Sequence, residues 1–265
     1  MLKTRILTAL VLLPIMLYAL FALPPAAWAA FSWLIVVVAL WEFTRMAAIG
    51  GALRWGYLAV STALAGAAWS TGFQLPAAAQ WAVLAFWLVG APMWLARRWV
   101  LGSGARAMLL GWLMLLPCWF ALVGLRPKPD AGLSLLAVMG LVWVADVAAY
   151  FSGKAFGRRK LAPAISPGKS WEGVYGALIA VCVYTVLVTR LGWVQVALPL
   201  SALLPVALAL TAVSVEGDLL ESWFKRSAGI KDSSALLPGH GGVYDRIDSL
   251  IAVLAVTHAL LVLFG

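Results

Sequence analysis

Between Ser222 and Asp248 the chain reads SWFKRSAGIKDSSALLPGHGGVYDRID, which sets Lys225, Arg226, Lys231 and Arg246 among Asp232, Asp245 and Asp248. Asp218, Ser222 and Lys225 stand at i, i+4 and i+7, so a helix places them on one face. Asp245 and Asp248, three apart at the start of the last apolar run, also share a face. Neighbouring carboxylates repel, and a divalent cation relieves that repulsion. Oxygen ligands without a His or Cys cluster select magnesium or calcium over zinc. The competing role is structural, with Arg226 and Arg246 pairing with these acids to close helix ends. Within the same stretch, Gly239, Gly241 and Gly242 in Pro238-Gly239-His240-Gly241-Gly242 permit positive φ and let backbone N–H groups approach a phosphate. His240 suits proton transfer or phosphate contact, and equally a hydrogen bond inside the turn.

A second polar segment carries Asp146, Lys154, Phe156-Gly157-Arg158-Arg159-Lys160 and Ser166-Pro167-Gly168-Lys169-Ser170-Trp171-Glu172-Gly173. Gly168-Lys169-Ser170 invites a P-loop reading, but that motif needs glycine where Pro163 stands, so it is absent. Lys154, Lys169 and Ser170 can still hold phosphates through charge and hydroxyl donors ahead of a helix start. Arg158, Arg159 and Lys160 fit an anchor at a lipid surface. Of the ten acidic residues, eight lie between Asp146 and Asp248, a clustering that marks this half as the functional one.

The elements that position these residues are apolar. The 265 residues are 64% hydrophobic and only 11% charged, against roughly 25% charged in soluble domains. That composition excludes an ordinary soluble core and predicts an all-α, polytopic membrane bundle. The net charge of +9 sits in short clusters between apolar runs rather than along one helix face, which argues against nucleic acid. Cys118 and Cys182 lie inside apolar runs and read as small core residues. Nine spans are expected, at 6–23, 26–43, 57–73, 77–95, 107–125, 133–151, 174–188, 194–215 and 247–264. The first resembles a signal segment, with Ala27-Trp28-Ala29 after it, but its length favours a retained helix.

With the N-terminus inside, nine spans put Lys3, Arg5, Arg45, Arg54, Arg97, Arg98, Arg106 and all basic residues of the two polar segments on the cytoplasmic side. Only Arg126, Lys128 and Arg190 fall opposite, and the C-terminus lies outside. The expected organisation is one membrane domain over 1–265, with apolar spans in 1–130, catalytic spans in 131–265, and cytoplasmic loops at 152–173 and 217–246.

At Ser222, Lys225, Arg226, Lys231, Asp232, Pro238, Gly239, His240, Gly241, Gly242, Asp245, Arg246 and Asp248 the sequence resembles the signature of the phosphatidate cytidylyltransferase (CDP-diacylglycerol synthase) family. Asp146, Phe156-Gly157-Arg158 and the run from Ser166 to Gly173 are similar to that family's second region. The detailed likeness covers the C-terminal half. It implies transfer of a cytidylyl group from CTP to phosphatidic acid at the inner face of the cell membrane, by a helical, usually dimeric protein with a magnesium-dependent site, the number of cations left open. It further implies Asp218, Asp245 and Asp248 as metal carboxylates and catalytic groups, with Lys225 and Arg226 facing phosphate beside Ser222. Lys154, Ser166, Lys169, Ser170, Lys231, His240, Gly241, Gly242 and Arg246 then complete the substrate site.

Two rivals remain. A polyprenol or dolichol-type kinase also joins phosphate chemistry to lipid. A divalent cation or anion transporter expects acids deep within several spans or inverted repeats, whereas here they gather at helix ends.

Overall fold

The computed structural model describes residues 2–196 and 198–265, without the side chains of residues 2–7 and 9; Lys3 and Arg5 of the charge pattern therefore lie outside the described side chains. Each apolar run read from the sequence falls on a helical rod. The rods are α1 Leu2–Ala22, α2 Pro25–Met46, α3 Gly51–Thr71, α4 Ala77–Ala85 continued by a π-turn and α5 Ala91–Arg97, α6 Ala105–Gly124, α7 Gly132–Phe156, α8 Trp171–Arg190, α9 Leu200–Ser227 and α10 Tyr244–Phe264. Among the described residues, seven are long and apolar enough to cross a membrane: α2, the α4–α5 rod, α6, α7, α8, α9 and α10. Length and composition thus do not confirm the expected count of nine. The described apolar part of α1 is the shorter Leu10–Ala22, and Arg54, Ser61, Thr62, Ser70 and Thr71 dilute α3.

Proline and glycine set the boundaries. Pro24 and Pro25 separate α1 from α2, with Pro25 at the first helical position, where its missing N–H is no loss. Gly72, at φ 65°, closes α3 in the left-handed conformation. The π-turn Phe86–Gly90 precedes Pro92, whose ring cannot fit a regular helix above the Leu88 carbonyl. The eighth expected span began at Val194, but α9 starts at Leu200 behind Pro199; proline disfavours helix in the residue before it, and Ala197 lies outside the described residues.

Two corrections concern the polar segments. Residues 152–156 continue α7, and residues 217–227 continue α9, so both expected loops begin as helix. The rest of the first is not all-α: Lys160–Ala162 and Ser166–Ser170 pair as an antiparallel hairpin, Lys160 opposite Ser170 and Ala162 opposite Ser166. Pro163, Pro167 and Gly168 exclude helix there. The hairpin, β1–β2, is pinned by Glu172, which accepts from the backbone N–H groups of Arg158 at 3.1 Å and Arg159 at 3.2 Å.

At the centre stands α10, whose residues from Ile251 to Val256 are 2% exposed or less, packed by α9, α6, α4, α7 and α2. The outward ridge of α8, Ile179, Val183 and Leu187, is more than half exposed and repeats every fourth residue, as a lipid-facing stripe should. The apolar rods and this outer surface mark a membrane protein. Two tryptophans act as interior crosslinks: Trp28 donates to the Leu122 carbonyl at 2.8 Å and Trp119 to that of Ala29 at 3.1 Å. Cys118 is buried and Cys182 half-buried, both as free thiols.

Small residues let α7 and α8 meet, as interfaces without a hydrophobic driving force require. A Cβ on Gly173 would sit 2.9 Å from the Ala149 carbonyl oxygen, a backbone atom that cannot swing away. Gly173→Val should therefore destabilise the fold by about 1–3 kcal/mol. A lowered thermal unfolding temperature in detergent micelles checks this, with Ile179→Val on the lipid-facing ridge as the tolerated control.

Candidate active site

The C-terminal part of α9, the first turns of α10, the last turns of α7 and the hairpin together enclose a cavity of about 580 Å³. Each wall brings charge for a local reason. Helix α9 carries Asp218, Glu221 and Lys225 at i, i+3 and i+7, and all three line the cavity. Helix α10 begins at Tyr244, which places Asp245, Arg246 and Asp248 within its first turns. Helix α7 supplies Asp146 and Lys154, and β2 supplies Ser166, Lys169 and Ser170. Gly217 allows the two acidic walls to meet, since a Cβ there would lie 2.9 Å from the Asp248 carbonyl oxygen and 3.0 Å from the Ala252 Cβ.

The charges are arranged in two groups. In the first, carboxylate oxygens of Asp218, Glu221 and Asp248 lie within 4.8 Å of one another. Lys169 Nζ sits 2.6 Å from Asp218 Oδ2, the Ser222 hydroxyl donates to Asp218 Oδ1 at 3.3 Å, and Ser249 N–H donates to Asp248 Oδ1 at 2.8 Å. Glu221 Oε1 is buried and has no hydrogen-bond partner among the described residues. In the second, Lys225 Nζ bridges Glu221 Oε2 at 2.7 Å and Asp245 Oδ1 at 2.6 Å. The other Asp245 oxygen accepts from Ser233 N–H at 3.0 Å, the Ser233 hydroxyl at 3.0 Å and Gly242 N–H at 2.7 Å.

Asp218 and Asp248 of the expected carboxylate set thus come together, and Glu221 completes their cluster. Asp245 also lines the cavity, and a lysine and the loop donors occupy both of its oxygens, so it holds the glycine-rich segment. Gly241, at φ 84°, forms a bridge with Leu237, and Gly242 serves as a donor to Asp245, so these glycines shape the turn. The His240 N–H donates to Leu237, and the His240 Nδ1 is buried without a partner among the described residues. Ser170 is buried and caps α8 by accepting from Gly173 N–H at 3.2 Å. Arg226 and Lys231 are exposed and outside the cavity lining, while Arg246 is exposed on its edge. Among the described residues neither Arg226 nor Arg246 forms an ion pair, so the helix-closing role falls to Lys225.

Two acids at the site received no specific role from the sequence. Glu221 carried a signal, since it falls on the same α9 face as Asp218 and Lys225. Glu42 is a solitary acid in an apolar span, and its partners lie about 200 residues further on.

Lys225 compensates two carboxylates whose side chains are 2% and 3% exposed. Removing one partner of a buried ion pair leaves uncompensated charge, so Lys225→Met should lower stability by about 3 kcal/mol. Arg226→Met, one residue along the same helix but exposed, should change it by less than about 0.5 kcal/mol. Chemical unfolding of both variants in micelles checks the contrast.

Comparison with known proteins extends this picture beyond the polar motifs. The model of the cytidylyltransferase family matches residues 3–264. A phosphatidate cytidylyltransferase of Pseudomonas aeruginosa is 49% identical over 265 residues, covering 98% of this chain and 97% of its own. Another of that name from Haemophilus influenzae is 39% identical over 280 residues, covering 95% and 96%. A third, from Brucella suis, is 48% identical over 139 residues, covering 52% of this chain and 48% of its own. The likeness thus runs through the N-terminal spans as well as the polar cavity, and the chain is an enzyme of the cytidylyltransferase family.

Proposed function

We propose that this enzyme transfers the cytidylyl group of CTP to phosphatidic acid, forming CDP-diacylglycerol and pyrophosphate. The observation that carries the reading is the convergence of Asp218, Glu221 and Asp248 with Lys169 and Lys225 in one cavity at the ends of apolar helices. Such a cavity lets acyl chains stay in lipid while a charged headgroup meets a nucleotide. The relatives named phosphatidate cytidylyltransferase support that choice of substrates.

In the reaction a phosphate oxygen of phosphatidic acid attacks the α-phosphorus of CTP. A new P–O bond forms as the bond to the bridging oxygen breaks and pyrophosphate leaves. The attacking phosphate is already an anion, so the demand is for bringing polyanions together and stabilising charge on the leaving group. Lys169, Lys154 and Arg246 stand around the cavity as cations for these phosphates. Lys225, held between Glu221 and Asp245, supplies a fixed positive charge on the same wall.

The carboxylate set fits magnesium. Its donors are all oxygen, they lie within reach of one ion, and Glu221 Oε1 is a buried acceptor without a partner among the described residues. Asp218, Glu221 and Asp248 would hold the ion, with Asp245 steadying the wall. A bound divalent cation supplies charge neutralisation to phosphate oxygens and to the departing pyrophosphate.

The distribution of Lys and Arg supports nine spans in an inner membrane, with the cavity on the cytoplasmic side, the N-terminus inside and the C-terminus outside. The resemblance also supports a homodimer. Purified protein should move label from CTP into chloroform-soluble lipid only when phosphatidic acid and a divalent cation are present, and chelation should abolish transfer. Asp248→Asn should lower the rate by about 100-fold or more, as removal of an electrostatic transition-state group does. Full activity of that variant would overturn the site, and label transfer from ATP rather than CTP would favour a lipid kinase.

A further inference from the structure

Glu42 lies in α2, in the half of the chain expected to supply only apolar spans, and it is 0% exposed. Among the described residues no Lys or Arg forms an ion pair with it. Hydrogen-bond donors take that place. Its Oε1 accepts from Val243 N–H at 3.0 Å and from the Ser234 hydroxyl; its Oε2 accepts from Tyr244 N–H at 2.5 Å and from the Ser233 hydroxyl at 3.1 Å. Val243 and Tyr244 are the cap and first residue of α10. Two of the N–H groups that a helix start leaves unsatisfied are therefore satisfied by an acid 201 and 202 residues earlier in the chain, where the helix dipole also favours negative charge.

Two further contacts tie this cap to the cavity. The Ser233 hydroxyl lies between two carboxylates, 3.1 Å from Glu42 Oε2 and 3.0 Å from Asp245 Oδ2. A Cβ on Gly242 would overlap both the Ser233 hydroxyl and the Glu42 carboxylate, so the glycine lets the turn close over the acid. Asp248 follows Tyr244 by four residues, about one helical turn. A change in the direction of the first turn therefore moves Asp248 against Asp218 and Glu221 on α9.

We propose that Glu42 is a positioning residue for cytidylyl transfer: it caps α10 from another helix and sets where Asp248 stands in the carboxylate cluster. The inference rests on the reaction proposed above, and its test separates the two. In full-length protein in micelles, Glu42→Gln turns one carboxylate oxygen into a donor facing other donors. It should lower kcat about tenfold while the KM for CTP stays within about threefold, the pattern of a group that shapes the transition state without touching the nucleotide. Hydrogen exchange in peptides covering residues 233–248 should quicken by about fivefold or more, with α3 peptides unchanged. In an Asp248→Asn background the same change should alter the rate less than about twofold, because positioning acts through Asp248.

A kcat within twofold of the parent, unchanged exchange at 233–248, or a loss that multiplies in full in the Asp248→Asn background would each overturn the proposal. If Glu42→Gln does not fold, Ser234→Ala removes one of the four donors and keeps the acid; it should lower kcat about threefold and quicken the same peptides, and no change in either overturns the proposal. Accelerated exchange in a parent protein inert toward CTP and phosphatidic acid would reject the proposed reaction and leave the cap as structural only.

Discussion

One ammonium group organises the polar end of this bundle. Lys225 lies between Glu221 on its own helix and Asp245 at the start of α10, closer than 3 Å to both. Two carboxylates this well buried are tolerable only with a cation and further donors around them. The i, i+4 contact with Glu221 fixes the lysine on α9, and the contact with Asp245 joins α9 to α10 across the glycine-rich segment. Asp245 then gathers Ser233 and Gly242. The acidic wall is thus built outward from one charge, and Gly217 keeps its two helices close enough for that charge to serve both.

Much of this was legible in the sequence because local rules decide it. Spacing alone put Asp218 and Lys225 on one face, and apolar runs located every rod. Pro163 excluded the P-loop, and the structure has a hairpin there. Spacing alone did not reveal that Asp245 has a different set of neighbours from Asp248. Helical spacing says that two acids share a face, but it does not say which donors a distant loop will bring. Asp245 meets Lys225, Ser233 and Gly242, and Glu221 lies with Asp218 and Asp248 in the carboxylate cluster. Glu42 was less legible still, since nothing in residues 25–46 announces that Ser233, Ser234, Val243 and Tyr244 will close over it. The competing reading, in which the arginines close the helix ends, is not what the structure has: exposed guanidinium groups gain little from an exposed partner, and neither Arg226 nor Arg246 forms an ion pair among the described residues.

The division into an anchoring half and a catalytic half also softens. Phe43 of α2 packs edge-on against Phe224 of α9, with ring centroids 6.1 Å apart. That contact lies one residue from Glu42 and one from Lys225, so apolar packing and polar geometry are set at the same crossing. Spans that look like filler in sequence hold the site's frame.

The ion pair between Lys169 and Asp218 joins the hairpin to α9 across the mouth of the cavity. Each partner is one that a ligand would claim: an incoming phosphate competes for the lysine, and a cation competes for the aspartate. Within the protein each charge therefore neutralises the other. Nucleotide and metal arriving together would replace one internal neutralisation with two external ones. Either arriving alone would strand a charge. The pair would thereby make joint occupancy electrostatically easier than partial occupancy.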